Sequence, residues 1–401
     1  MARSDRFERQ ASGITSLRFG QTIDTQTAQE TARKVAQAIY AYQDKYHATC
    51  TEADCPTCID SLAQRVLPFV TQERPLELVL PGFPYKSKSQ KKCMGVRADA
   101  AELVAVERLT SLLDDVEWAY PKGAHLTIYS DGRSYCHVSG VCDNSVSTYL
   151  ESSRELLDHA RLADKIKIVS LEDIAPVGNP HAPVGTPHNW PAMRDWLLET
   201  YGQPLPEIQT AIEADPALQS NYQGMKCFRQ KDLEGHPDTL VTDPATNQTL
   251  PYSEFGCKAR RRICGHLALL GMQSAMAWGD LIDAQAPDAL RLSVHAKPCG
   301  SRKFGISLTG QTGRSITPWH AVACELPKQP DHPAPISTRI LVPRALAEEA
   351  GLEATEVDLH PTGKHAPGLP MFQAKTPASV QQLLSLLAKT AHRPHTTSSA
   401  P

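Results

Sequence analysis

Three short segments of the chain carry residue types that can hold an anion and move a proton. Lys86 and Ser87 close PGFPYKS, Ser130 and Asp131 sit in YSDG, and His295 lies in RLSVHAK. A lysine offers positive charge to a phosphate or carboxylate, while a carboxylate and an imidazole exchange protons near neutral pH. Arg229, Arg291 and Lys303 are further cations. Gathered in one pocket, such a set suits a phosphorylated carbonyl substrate. Each member also has a plainer role. Asp131-Gly132 is a common turn dipeptide, His295 alternates with apolar residues as a core histidine would, and Lys86, Lys88, Lys91, Lys92 and Arg97 together read as a solvated basic face.

A second constellation runs from His47 through Cys50 and Cys55 to Cys58. The spacing C-x4-C-x2-C with a nearby imidazole offers soft ligands for tetrahedral zinc. A second Cys/His pair is missing, so Cys93 or His47 would have to close the site. The reading is therefore a structural zinc on Cys50, Cys55 and Cys58, against free thiols in a hairpin.

The elements around these residues show one theme, a short β-rich run that stops at a turn and gives way to a helix. Leu76 to Leu80 ends in Pro81-Gly82-Phe83-Pro84 and precedes a helix from Ala101 to Trp118 with Leu109, Leu112, Leu113 and Val116 on one face. His125 to Tyr129 ends at Ser130-Asp131-Gly132 and precedes a helix from about Ser145 to Arg161; Ile166 to Ser170 is the next strand. Ile174 to Pro191 is rich in proline and reads as a loop or boundary. Helices are expected at Pro191 to Thr200, Phe255 to Ile282 and Ser379 to Lys389, and strands at Ala289 to His295 and Lys303 to Leu308. Alternation of this kind predicts an α/β fold, a Rossmann-like, mostly parallel sheet with flanking helices and a smaller, mainly helical second region.

The division follows: 1–75, an N-terminal helical region with the Cys cluster; 76–173, the α/β core; 174–285, a loop and helical region; 286–390, strands and a helix completing the core; 391–401, a disordered tail. In open α/β sheets ligands bind outside the carboxyl ends of the strands, which is where Lys86, Asp131 and His295 fall. No GxGxxG follows a predicted strand and no GxxxxGK[ST] occurs, so no dinucleotide or P-loop nucleotide is indicated.

With 401 residues, 41% of them hydrophobic, the chain can build a sizeable core. Lys plus Arg number 41 against 44 Asp plus Glu, and the formal net charge of -3 gives no field to attract nucleic acid or an anionic membrane. The best apolar run, His266 to Trp278, is too short to span a bilayer. Met1 to Gln10 has no apolar stretch of the kind a secretory signal needs, which predicts a cytoplasmic protein. An odd count of 11 cysteines spread over a long chain argues against a disulfide scaffold.

Five motifs, LVLPGFPYKS, YPKGAHLTIYSDGRSYCHVSGVCDNSVSTY, GMKCFRQKDL, LRLSVHAKPCGSRKFGISL and TPWH, occur in an order that resembles the isocyanide (isonitrile) synthases, also called the pyoverdine/dityrosine biosynthesis family. The resemblance runs from about Leu76 to His320. It implies an enzyme with a Rossmann-like core that requires no nicotinamide or metal cofactor. Such an enzyme condenses the amino group of an L-amino acid, with tyrosine the first guess, with ribulose 5-phosphate, whose C2 becomes the isonitrile carbon. It also implies a pathway iron(II)/2-oxoglutarate oxygenase as partner. Lys86 and Arg229 then become candidates for holding phosphate and carboxylate, His295 and Asp131 for proton transfer, His320 for a second acid or base, and Trp319 for a pocket wall. The chain departs from the family pattern in the loop KSKSQKK and at His137, where an acidic residue is expected. Two rivals stand beside this reading: an N-formyl amino acid synthase of dityrosine type, and a zinc-binding regulatory protein that kept the fold.

Overall fold

The computed structural model describes residues 24–44, 55–176, 189–311, 316–327, 338–357 and 368–391. Two helices come first, α1 (Thr25–Tyr40) and α2 (Pro56–Thr71). The Asp24 carboxylate caps α1 by accepting from the amides of Gln26 and Thr27, and Pro56 opens α2 at a position where a missing amide breaks no helical hydrogen bond. The expected alternation then follows as β1 (Leu76–Pro81), α3 (Ala100–Ala119), β2 (Ala124–Tyr129), the single turn α4 (Gly132–Tyr135), α5 (Asp143–His159) and β3 (Ile166–Val169). Asp99 and Glu102 form a capping box that fixes the start of α3.

The helical region comprises α6 (Trp190–Tyr201), α7 (Leu205–Ala214), α8 (Pro216–Gly235) and, after the small hairpin β4 (Leu240–Thr242) and β5 (Thr249–Pro251), the long α9 (Cys257–Gln285). The chain then returns to the sheet with β6 (Leu290–Ser293) and β7 (Phe304–Gly305). The strand expected over Lys303 to Leu308 is shorter than read; beyond β7, Ile306 makes only an isolated bridge to Gln43.

The main sheet has the order β3-β2-β1-β6-β7, and every neighbouring pair is parallel. Because successive side chains point to opposite faces, Leu76, Leu78 and Leu80 join one core with α1, α2, α3 and α5. Val79, Tyr129 and Val169 turn the other way and meet Met193 and Leu197 of α6 and Trp278, Leu281 and Ile282 of α9. This is the Rossmann-like α/β architecture, with the helical region as its second part. Strands are laid down on one side of β1 as far as β3, then β6 enters on the other side, which places a topological switch beside β1.

Four further strands, β8 (Val322–Leu326), β9 (Thr338–Val342), β10 (Glu353–Val357) and β11 (Leu369–Gln373), form a separate mixed sheet of order β10-β11-β8-β9. One face packs on α10 (Arg344–Glu349) and α11 (Pro377–Ala391), the other on the start of α3 through Ala100, Ala101 and Val104. No sustained alternation in the sequence announces it. No helix among the described residues is long and apolar enough to cross a membrane. Residues 177–188 of the proline-rich segment, and the tail from 392, lie outside the described residues.

Candidate active site

A cavity of about 1230 Å³ opens at the carboxyl ends of β1, β2 and β6. The loop after β1 supplies Ser87, the turn after β2 supplies Asp131 and Tyr135, and the loop after β6 supplies His295 and Lys297. Arg229 of α8, Lys303, and the turn holding Trp319 and His320 complete this polar wall. Seven of the residues singled out in the sequence, Ser87, Asp131, Arg229, His295, Lys303, Trp319 and His320, therefore face one space. Backbone contact knits the wall together: the Ser87 amide donates to the Trp319 carbonyl at 2.9 Å.

Asp131 is set by a close crossing of two loops. A Cβ on Gly132 would stand 2.0 Å from the Pro84 carbonyl oxygen, so only glycine lets the β2 turn lie against the β1 loop. The Oδ1 atom of Asp131 is buried with no hydrogen-bond partner among the described residues. Burial pushes its carboxyl up to about 7, against the lowering effect of a hydrogen bond with Tyr135. A carboxyl with that pKa exchanges protons at neutral pH, as a general base must.

Arg229 is only 4% exposed, and its Nε and Nη1 likewise have no partner among the described residues. Its guanidinium carbon lies 5.8 Å from the centre of the Phe228 ring. Lys297 and Lys303 are each pulled below the usual lysine range by burial, Lys303 also by the charges of Arg291 and Lys297. His295 is open to the cavity, yet the surrounding protein and then Lys297 hold its pKa below the ordinary imidazole value. The ring of His320 rests 5.1 Å from that of Phe228, with Nδ1 3.2 Å from the Thr317 hydroxyl. Burial, then Lys92 and Lys86, bring His320 down to about 3, so its imidazole is neutral at physiological pH.

Three candidates stand behind the wall. Lys86 has no exposed side-chain surface; its Nζ sits 3.0 Å from Asp99 Oδ1, 2.8 Å from Glu102 Oε2 and 3.1 Å from the Pro318 carbonyl oxygen. Burial lowers the pKa of this ammonium, but the two carboxylates outweigh it and hold the group charged. All three donors of Lys86 are matched by protein, which corrects the expectation that it binds phosphate. Ser130 is also buried, donating to the Phe83 carbonyl at 2.8 Å. Arg291 is turned toward Asp283 and the Gly279 carbonyl; both of these residues line the cavity and Arg291 does not.

The cysteine cluster is assembled differently from the expectation. Cys55 and Cys58 are joined by Cys299, with sulfur distances of 3.5 and 3.4 Å. Cys50 and His47 lie outside the described residues, and Cys93 stands elsewhere, donating to the Trp319 carbonyl at 3.2 Å. Sequence reasoning missed Tyr85, whose hydroxyl donates to Ser139 Oγ at 2.5 Å at the cavity wall, and also Tyr135, Lys297 and Asp283. A signal existed for two of them: Tyr135 follows Asp131 by one helical turn, and Lys297 lies two residues after His295 in the loop beyond β6.

A parallel sheet with a cavity at its switch point places the protein in the Rossmann-like α/β class. Residues 66–332 match the Pyoverdine/dityrosine biosynthesis protein family, and the chain belongs to that family, the one its motifs resemble. The L-tryptophan isonitrile synthase AmbI2 of Fischerella ambigua is 30% identical over 271 residues, spanning 68% of this chain and 74% of that protein. An L-tyrosine isonitrile synthase of Pseudomonas aeruginosa is 29% identical over 294 residues, 72% of this chain and 83% of its own. The crystal structure of the PvcA protein from Pseudomonas aeruginosa superposes with a TM-score of 0.67 at 26% identity, covering 86% of this chain and 99% of that one.

Proposed function

We propose that this chain is an isonitrile synthase that joins the amino nitrogen of an L-amino acid, tyrosine first among candidates, to a carbon taken from ribulose 5-phosphate. The observation that carries the reading is the pairing, in one cavity, of unmatched Arg229 donors with an Asp131 carboxyl that titrates near 7. Arg229 suits the substrate carboxylate, which a guanidinium binds through two parallel hydrogen bonds. Lys297 and Lys303 suit the phosphate, whose charge offsets the desolvation of both lysines. At about 1230 Å³ the space exceeds the roughly 300–1,000 Å³ of a pocket for one small ligand, in keeping with two substrates held together. Relatives named for tyrosine and for tryptophan support an aromatic amino acid, and Phe228 and Trp319 offer a wall for its ring.

The first steps divide among these residues. The Asp131 carboxylate takes a proton from the substrate ammonium, and the freed lone pair attacks the C2 ketone. As the C–N bond forms, the carbonyl electrons move to oxygen, which receives a proton from His295. The oxygen takes a second proton, the one Asp131 holds, and departs as water while the nitrogen sheds its two remaining protons, one restoring His295 and one to solvent. This leaves an imine, from which later eliminations expel phosphate and the sugar carbons. His320, being neutral, serves as a hydrogen-bonding imidazole rather than as a cation. An iron(II)/2-oxoglutarate oxygenase is the partner expected to consume the product.

The test is incubation of the protein with ribulose 5-phosphate and an amino-acid panel, trapping with a tetrazine reagent and reading products by mass. An isonitrile adduct on an aromatic amino acid is the expected result. A formamide in its place would assign the N-formyl activity, and no turnover with any amino acid would remove the enzymatic reading.

A further inference from the structure

We infer that Cys55, Cys58 and Cys299 hold a zinc ion, and that this ion anchors the loop bearing the cationic wall of the cavity. The metal site is independent of the proposed reaction; only the meaning of the anchored loop rests on that reading. Cys55 is the N-cap residue of α2 and Cys58 lies in its first turn, so one helix start presents two thiols at fixed spacing. Cys299 reaches them from the loop between β6 and β7, and the three sulfurs all lie within 4.8 Å of one another. Zinc–thiolate bonds of about 2.3 Å in tetrahedral array put sulfurs about 3.8 Å apart. The separations of 3.5 and 3.4 Å from Cys299 are within a few tenths of an ångström of that.

Three features outside the trio point the same way. The Gly300 backbone, at φ +74, turns the loop back so that its amide donates to Cys58 sulfur, the kind of outer contact that steadies a metal-bound thiolate. The α2 N-terminus brings its positive dipole end to the same sulfurs. Arg65, further along α2, donates to the Ser301 carbonyl at 2.8 Å and to that of Arg302, holding the loop against the helix from a second point. Buried thiols acting as small apolar groups would explain Cys55 and Cys58. They would not explain why an exposed Cys299 and a donor amide converge on them. Among the described residues no fourth His, Cys, Asp or Glu joins the three, and the exposed side at Cys299 is open to a solvent ligand.

Lys297 and Lys303 flank Cys299 on this loop, and both line the cavity. A bound ion would fix where these two ammonium groups stand. The experiment uses the full chain, purified without chelator and measured for metal by mass spectrometry. About one zinc per chain is expected, falling to background in Cys299→Ser. Refilling the metal-free protein with cobalt(II) should give the thiolate charge-transfer bands and intense visible absorption of a tetrahedral sulfur site, a readout that needs no variant to fold. Amide hydrogen exchange over residues 297–303 should quicken on zinc removal. A wild-type protein without zinc and without cobalt bands overturns the site, as does full zinc retention in Cys299→Ser. Unchanged exchange in that loop overturns the anchoring.

Discussion

Lys86 and Arg229 are both buried cations from motifs of the same family, and they are held in opposite ways. Lys86 meets Asp99, Glu102 and the Pro318 carbonyl, so each donor has a protein acceptor. Arg229 keeps Nε and Nη1 without an acceptor among the described residues and faces the cavity. A buried charge whose partners are complete is part of the architecture, because removing it strands the opposite charges. A buried charge left incomplete at a cavity keeps donors for whatever fills that space, which suits a binding group. Lys86 therefore ties the loop after β1 to the start of α3 and to the turn before Trp319, while Arg229 keeps donors turned to the cavity, as the proposed contact with the substrate carboxylate requires.

The sharpest way to break this contrast is Lys86→Met. It leaves two carboxylates buried without a counter-charge, and a loss of about 3–5 kcal/mol in folding stability is expected, measured by urea unfolding. A variant as stable as the parent would show that the cluster is not structural. Arg229→Gln should do the reverse. Stability should stay within about 1 kcal/mol, while kcat/KM in the isonitrile assay falls roughly 10²- to 10³-fold, the cost of losing a charged donor to a desolvated substrate group. Unfolding by Arg229→Gln with near-normal turnover in the surviving fraction would reverse the assignment.

Asp131→Asn separates proton transfer from binding. In the parent, kcat/KM should rise with pH through a limb near 7, because the carboxylate and not the acid accepts the ammonium proton. The variant should lose that limb and about 10²-fold in rate. Stability moves the other way. The native carboxyl titrates near 7 and the unfolded one near the ordinary value of 3.8, so between these the native state holds a proton that the unfolded state lacks. The parent therefore loses stability as pH rises from about 4 to about 7, a slope that the asparagine variant, with no proton to release, does not share. Denaturation at pH 4 and pH 8 should show the variant gaining on the parent at the higher pH.

Most of the sheet and the location of the cavity were legible in the sequence, because both depend on local pattern. Short β-rich runs stopped by PGFP and SDG mark β1 and β2, and the strand-end rule then gathers Asp131 and His295 without knowledge of packing. What was not legible depends on direction and distance. Lys86 and Ser87 are neighbours in an extended loop, yet Ser87 faces the cavity and Lys86 does not, and no spacing reveals that twist. The capping-box pattern Asp99-x-x-Glu102 was readable, but its second use as a cage for Lys86 was not. Cys299 joins Cys58 from 241 residues away, beyond any local motif. The strands β8 to β11 carry no sustained alternation and assemble in the order β10-β11-β8-β9, not the chain order, so nothing local sets them apart from loops.

The smallest effect is expected at His320, and it tests whether the two cavity histidines differ as their surroundings say. Burial beside Lys92 and Lys86 keeps the His320 ring neutral down to about 3, so it contributes no ionisation to a pH profile between about 5 and 9. His320→Gln keeps a neutral hydrogen-bonding side chain, and a drop of roughly tenfold in kcat with an unaltered profile is expected. His295 is open to the cavity and, as the group that gives up a proton, acts in its protonated form, so His295→Gln should remove the limb on which kcat/KM falls as pH rises. Profiles of kcat/KM for both variants decide the matter. If the His320 substitution removes that falling limb and the His295 substitution leaves it in place, the proton donor is His320 and the roles given to the two rings must be exchanged.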